Sequence, residues 1–277
     1  MKSIKDELRR FLSSNNLLKG ALLAGKIQDP KFCERPYVER VLEVAAVVWN
    51  RLSKHQMGSL DRVAAINRTL YDDFEFQGKT PGARQIIDDP NRFYLHAILD
   101  GKQGSPLGLT VLYSIVAQQI ALEHEVIALP SSYLVRLAED DQNYYVDPFD
   151  RGKCLNQEEF DKKLKSEMHR SRVVSTNLFE TVGPSQLVAR VFQQLKHVYI
   201  LKGKALEALR SVDLLKVIFP DSPELTRDRG ILYCEMEYFS KAIRDLKKYI
   251  RERPNADDIS EIRKLTSILR GYREIVN

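Results

Sequence analysis

Three cysteines in 277 residues, at positions 33, 154 and 234, are too few and too far apart for a disulfide framework, and none forms a CxxC pair. The five histidines are equally scattered, so no metal-ligand spacing emerges and no metal site is expected. No dinucleotide-binding GxGxxG, P-loop, HExxH or GxSxG segment occurs, which leaves no cofactor to predict. The acidic pairs Asp72-Asp73, Asp88-Asp89 and Asp140-Asp141 lack calcium-loop spacing and read as solvated turn residues. No run approaches the roughly 18 to 20 apolar residues a membrane helix needs. The opening MKSIKDELRRFL is charged throughout and has no signal-peptide apolar core, so a cytoplasmic protein with no membrane partner is expected.

What the chain does have is an ordinary globular balance, 43% hydrophobic and 29% charged residues. The formal net charge of +5 is unevenly placed. Residues 1–183 carry 25 basic and 25 acidic side chains, whereas residues 184–277 carry 18 and 13. Acidic residues interleave with the basic ones, so the excess reads as a solvated face. An acidic protein is the next alternative, and nucleic acid is not expected.

Apolar periodicity predicts helices over 36–52 and 60–71, a loop rich in glycine and proline after that, and a short helix over 91–99. Ser105 and Pro106 form an N-cap and first helical residue for a run over 107–122 that is apolar nearly all round, hence buried on most sides. Short strands follow at 125–129, 132–137 and 143–149, the last two joined as a hairpin through AEDDQ. After Gly152 the chain then reads as polar to about Gly183 and Pro184. A domain boundary is placed there, giving residues 1–183 and an all-helical 184–277. The fold class is therefore α+β, a mostly helical core with a small antiparallel sheet, followed by an all-α domain.

The tail repeats itself at a period of 34 residues, pairing Tyr199 with Tyr233, Ala208 with Ala242 and Pro220 with Pro254. Gly230 falls where a tetratricopeptide repeat wants its small residue, although the first repeat has Lys196 there. Two repeats, about 187–220 and 221–254, plus a polar capping helix over 258–274 make a short array. By repeat position, Arg190, Gln193, His197, Glu224 and Arg227 are expected to line its groove and receive a protein or peptide partner.

The order NRFYLHAIL, GSPLGLTVLYSIVAQQIAL, PSSYLVR and VDPFDRG, with RDRGILY and AIRDLKKYIRERPNADD in the tail, resembles a bacterial family that joins a divergent transglutaminase-like, papain-like core to tetratricopeptide repeats. Its members are often labelled invasion-gene regulators, and a related core occurs in an F-box protein. Active enzymes of this type use a cysteine at the start of a buried helix, a histidine on a following strand and an aspartate on the next. Carried onto this chain, the resemblance puts the nucleophile at or beside Pro106, the base at Ser132 and the orienting acid at Asp147. Pro106 has no reactive group and Ser132 cannot serve as a base near neutral pH. Only Asp147 survives, with a structural role such as capping the turn that follows it. Many relatives already lack the cysteine, but the missing histidine departs from the family pattern. The expectation is a pseudoenzyme that acts as a protein-binding scaffold or regulator. Its rival is a cysteine-dependent amidase, protease or transglutaminase with a displaced site at Cys33, upstream of His96 and His124. Cys33 itself reads as a partly buried thiol, Cys234 as packed and His124 as a surface side chain.

Overall fold

The computed structural model describes residues 4–52, 58–78, 89–171 and 179–276. The chain divides into two compact units, one of residues 13–191 and one of residues 1–12 with 192–277.

The first unit opens on helices. After α1 (Ile4–Ser14), which starts in the other unit, come α2 (Leu17–Leu23), the single turn α3 (Gly25–Gln28), α4 (Arg35–Arg51) and α5 (Ser59–Asn67). Asn16 caps α2 by accepting from the Lys19 N–H. The helix read over 60–71 is α-helical only to Asn67 and continues as a π-turn, Arg68–Asp73. The helix read over 91–99 begins later than expected. The Asp89 carboxylate caps Asn91 and starts a 3-10 turn, Pro90–Arg92, and only then does α6 (Leu95–Gly101) form. The central helix α7 (Pro106–Gln119) is capped by Ser105, whose hydroxyl accepts from Gly108 N–H at 3.0 Å. Every residue from Leu107 to Ala117 is buried, as its lack of a polar face requires.

The sheet is fully antiparallel, in the order β4-β3-β2-β1-β5. Its strands are β1 (Glu125–Ala128), β2 (Tyr133–Glu139), β3 (Gln142–Asp147), β4 (Lys153–Leu155) and β5 (Glu180–Val182). Asp140 and Asp141, both at positive φ (49° and 61°), make the two-residue turn between β2 and β3. The polar stretch after Gly152 carries regular elements that the sequence reading did not assign. It holds β4 and the helix α8 (Gln157–Ser171). Phe160 and Leu164 of α8 join Ile127, Leu129, Leu134, Tyr145 and Leu155 in one apolar cluster, and the Tyr145 and Phe160 rings stack at 3.9 Å.

Helices complete the chain: α9 (Pro184–Leu201), α10 (Ala205–Ile218), α11 (Pro223–Glu235), α12 (Phe239–Glu252) and α13 (Ile259–Val276). Within the second unit α11 packs on α10 and α12, and α12 packs on α13. Ala208 and Ala242 are fully buried, and a Cβ on Gly230 would meet the Leu246 side chain. The alanines that the 34-residue period aligned are therefore core residues, and Gly230 sits where α11 meets α12. Lys196, in the corresponding place of the first repeat, instead reaches Asp228 at 2.6 Å. Near the chain start, Lys5 pairs with Asp213 of α10 at 3.4 Å.

Candidate functional site

Pro106, Ser132 and Asp147, onto which the enzyme template is carried, all lie in the first unit, Pro106 at the start of α7, Ser132 just before β2 and Asp147 at the end of β3. Asp147 is the last residue of β3 and is 5% exposed. Its Oδ1 accepts from the Phe149 and Asp150 N–H groups at 3.0 and 3.2 Å, which caps the 3-10 turn Pro148–Asp150. The turn then passes through Arg151 and Gly152, both at positive φ (53° and 69°). Gly152 is required twice over, because a side chain there would be strained and would also strike Asn67. Asn67 donates to the Gly152 carbonyl at 2.7 Å and accepts from Tyr113 at 3.1 Å, while Tyr71 donates to the Pro148 carbonyl at 2.8 Å. The π-turn and α7 thus grip the Asp147 turn from behind.

The other oxygen of Asp147 meets a cation. Lys163 Nζ, from α8, donates to Asp147 Oδ2 at 3.1 Å and lies 3.5 Å from Glu167 Oε1. Glu167, one helical turn further on, accepts from the Ser132 hydroxyl at 2.5 Å. It also accepts from the Ser131 N–H and hydroxyl at 3.0 and 2.9 Å. Ser132 and Asp147 are therefore joined through two α8 side chains, Lys163 and Glu167, and no imidazole takes part. Burial by itself would raise the Glu167 pKa, but the hydrogen bonds from Ser132 and Ser131, with the Lys163 charge, outweigh it and hold the carboxyl below its usual range. Burial opposes the Lys163 charge too, yet Asp147 and Glu167 push its pKa up. Pro106 takes no part in this chain, and its carbonyl accepts from Thr110 at 2.8 Å. A cavity of about 320 Å³ opens beside Asp147, lined by Asp150, Lys153, Leu155, Glu159, Lys162 and Lys163. Neither Pro106 nor Ser132 borders it.

Among the described residues histidine and cysteine offer no substitute. His124 is not a surface side chain. Its Nδ1 faces the Leu122 carbonyl at 2.8 Å and must carry the proton, so Nε2 accepts from the Ser114 hydroxyl at 2.5 Å. Burial lowers the His124 pKa, partly offset by the Leu122 bond. A serine and a histidine in contact suggest a nucleophile and its base, but Ser114 is 2% exposed in the middle of α7 and a carbonyl, not a carboxylate, orients the ring. This pair ties α7 to the start of β1. His96 packs among Phe32, Tyr94 and Tyr37, with ring centroids 4.7, 5.1 and 5.5 Å away, and burial lowers its pKa. Cys33 is exposed rather than partly buried, Cys154 is exposed and Cys234 is half-buried. His55 lies outside the described residues. Among the described residues no cluster of histidine, cysteine and carboxylate side chains could hold a metal ion.

Of the expected groove residues, Arg190, Gln193 and His197 stand at steps of three and four on α9, and Glu224 and Arg227 lie on α11. Arg190 belongs to the first unit, where it pairs with Glu180 at 2.6 Å and lies over the Tyr133 ring at 5.9 Å. Gln193 and His197 are exposed on α9. Glu224 and Arg227 share a cavity of about 660 Å³ with Tyr249, Glu252, Arg253 and residues 254–258. Both are already paired there, Glu224 with Arg253 at 2.6 Å and Arg227 with Asp258 and Asp228 at 2.7 and 2.9 Å.

Sequence reasoning missed Lys163 and Glu167 because it left α8 out. A signal existed, since Phe160, Leu164 and Met168 recur at steps of four in QEEFDKKLKSEMHRS.

Comparison with known proteins agrees with this layout. Residues 35–193 match the transglutaminase-like superfamily and residues 195–266 the tetratricopeptide repeat. A UPF0162 protein of Xylella fastidiosa (strain Temecula1) is 25% identical over 250 residues, which cover 89% of this chain and 87% of that one. A UPF0162 protein of Vibrio cholerae is also 25% identical, over 90% of each chain. F-box only protein 21 of Mus musculus is 26% identical over 62% of this chain and 28% of its own length. Among solved structures menin is similar at a TM-score of 0.45 and 13% identity, over 89% of this chain and 69% of that one.

Proposed function

Because this chain belongs to the transglutaminase-like superfamily, we propose that it keeps the superfamily's core without the cysteine chemistry and works in the cytoplasm as a protein-binding scaffold or regulator. The observation that carries the reading is the partner of Asp147. Lys163, a permanent cation at neutral pH, fills the carboxylate that would otherwise orient an imidazole. A proline stands at the nucleophile position, and the hydroxyl at the base position is spent on Glu167. Nothing at this centre can take a proton from a thiol and return it to a leaving group.

The repeats then supply the working surface, through exposed Gln193 and His197 on α9 and the cavity between Glu224 and Asp258. Arg190 and Arg227 anchor their own units, so reversing either would test stability together with binding. The cleaner test reverses exposed positions only. Affinity capture from bacterial lysate with the full chain should retain a protein that the Gln193→Glu, His197→Glu double variant loses. An identical set of captured proteins from both would overturn the groove's role.

A further inference from the structure

We infer that the outward face of α12 docks an acidic helical segment of a partner protein. This helix buries Ala242, Ile243, Asp245, Leu246 and Tyr249. Its exposed positions include Lys241, Arg244, Lys247, Lys248 and Arg251. The steps 241, 244, 248 and 251 follow one helical face, a row of about 15 Å at the α-helical rise. Arg244 is 70% exposed along its side chain and Lys248 46%. The carboxylates nearby neutralise only part of this, Asp245 lying 3.7 Å from Arg244. Asp245 is buried and committed to Arg229 at 2.6 Å, and Glu252, at the far end, lies 3.7 Å from Lys248.

Like charges three and four residues apart destabilise a helix, and opposite charges at that spacing support it. Elsewhere this chain follows the second pattern on exposed helix faces, with Arg35 on Glu39 in α4 and Lys162 on Glu158 in α8. On α12 one such pair forms, Lys248 with Glu252, while Lys241, Arg244, Lys247 and Arg251 stand at like-charge spacing along the helix. A partner that supplies carboxylates removes this repulsion on binding.

The geometry favours a helix over other anions. The cations stand in single file on one rigid helix, which matches Asp or Glu at steps of three and four on a facing helix. A nucleic-acid duplex would call for a broader field of cations, and a single strand for free aromatic faces as well. Tyr238, the exposed ring at the head of the row, already stands edge-on to Tyr233 at 6.2 Å with Lys241 Nζ 4.9 Å from its centroid. No large apolar side chain is exposed between Lys241 and Arg251 to enter a lipid surface. The surface is separate from the groove residues of α9 and α11. It extends the protein-binding reading and fails independently of it.

The test uses the full chain and two fluorescent helical peptides of equal composition. One carries four glutamates on a single face at steps of three, four and three, and the other spreads them around the helix. Anisotropy at about physiological salt should show the one-faced peptide bound roughly tenfold more tightly, in line with its register. The Arg244→Glu, Lys248→Glu variant should lose that binding while the Gln193→Glu, His197→Glu variant keeps it, with circular dichroism unchanged in both. Should the reversal variant not fold, Lys247→Gln, Lys248→Gln, Arg251→Gln replaces it with the same expected loss. Equal affinity for the two peptides, no binding of either, or tighter binding to a short DNA duplex or to phosphatidylserine vesicles would overturn the proposal.

Discussion

At the scale of single residues, the decisive feature is a substitution of partners. Asp147 keeps its place at the end of β3 and its two backbone N–H bonds, but its free oxygen faces Lys163. The Asp147 and Glu167 side chains are each 8% exposed, so deleting the cation strands two carboxylates with little water to replace it. Lys163→Met should cost about 1–3 kcal/mol of stability, read from the urea midpoint at neutral pH. A loss within error would mean that the pair is solvated in solution and that Asp147 is free for other work. The histidines make a second prediction. Burial depresses the pKa of His124, against a smaller push from Leu122, and burial likewise depresses that of His96 against Asp100. A depressed histidine stays neutral in the folded state while the unfolded chain takes up a proton. Its stabilisation is therefore complete above the unfolded pKa of about 6.5 and is lost as pH falls below it. The urea midpoint should drop between about pH 7.5 and 5.5. His124→Gln should remove part of that slope, and its persistence unchanged would show that His124 protonates without penalty.

At the scale of elements, legibility followed apolar pattern and failed where charge masked it. α4 and α7 were readable because their apolar residues repeat at helical spacing or fill every face, and the β2–β3 hairpin because AEDDQ interrupts two β-rich runs. α8 was not readable as polar sequence alone, although three apolar residues on one side suffice to seat it on the sheet. Its omission hid the site, since Lys163 and Glu167 come from its other positions. No local pattern predicts that they meet Ser132 and Asp147, because that contact depends on how the helix crosses the sheet. The repeats were readable from spacing, and the glycine there has a steric reason. Gly230→Val, pressed against Leu246, should cost about 1–3 kcal/mol by overpacking α11 against α12. Gly271 in α13 has open space around it, so Gly271→Ala should stabilise by about 0.5–1 kcal/mol through helix propensity alone. Thermal melts of the two variants should shift in opposite directions, and a shift of the same sign would refute this account of how the repeat helices pack.

At the scale of the whole molecule, the question is whether any thiol is placed to react. Catalytic cysteines sit beside a base or at an electropositive helix start that favours the thiolate. Among the described residues no hydrogen bond joins a histidine to Cys33, Cys154 or Cys234, and the buried helix α7 starts on Pro106 rather than on a cysteine. Burial first, and then a neighbouring glutamate, pushes the Cys154 and Cys234 thiols up. Mass-spectrometric labelling of the full chain with iodoacetamide near neutral pH should therefore find both reacting more slowly than in a urea-unfolded control. Cys33, exposed but without a base, should not exceed its own unfolded rate. If one thiol labelled many times faster than in the unfolded chain, the cysteine-enzyme alternative would return with that residue as nucleophile. Slow labelling at all three, together with partner capture that depends on Gln193 and His197, would leave binding as the work of this molecule. The core would then serve as a rigid platform in which Asp147, capping its turn and paired with Lys163, is part of the structural frame.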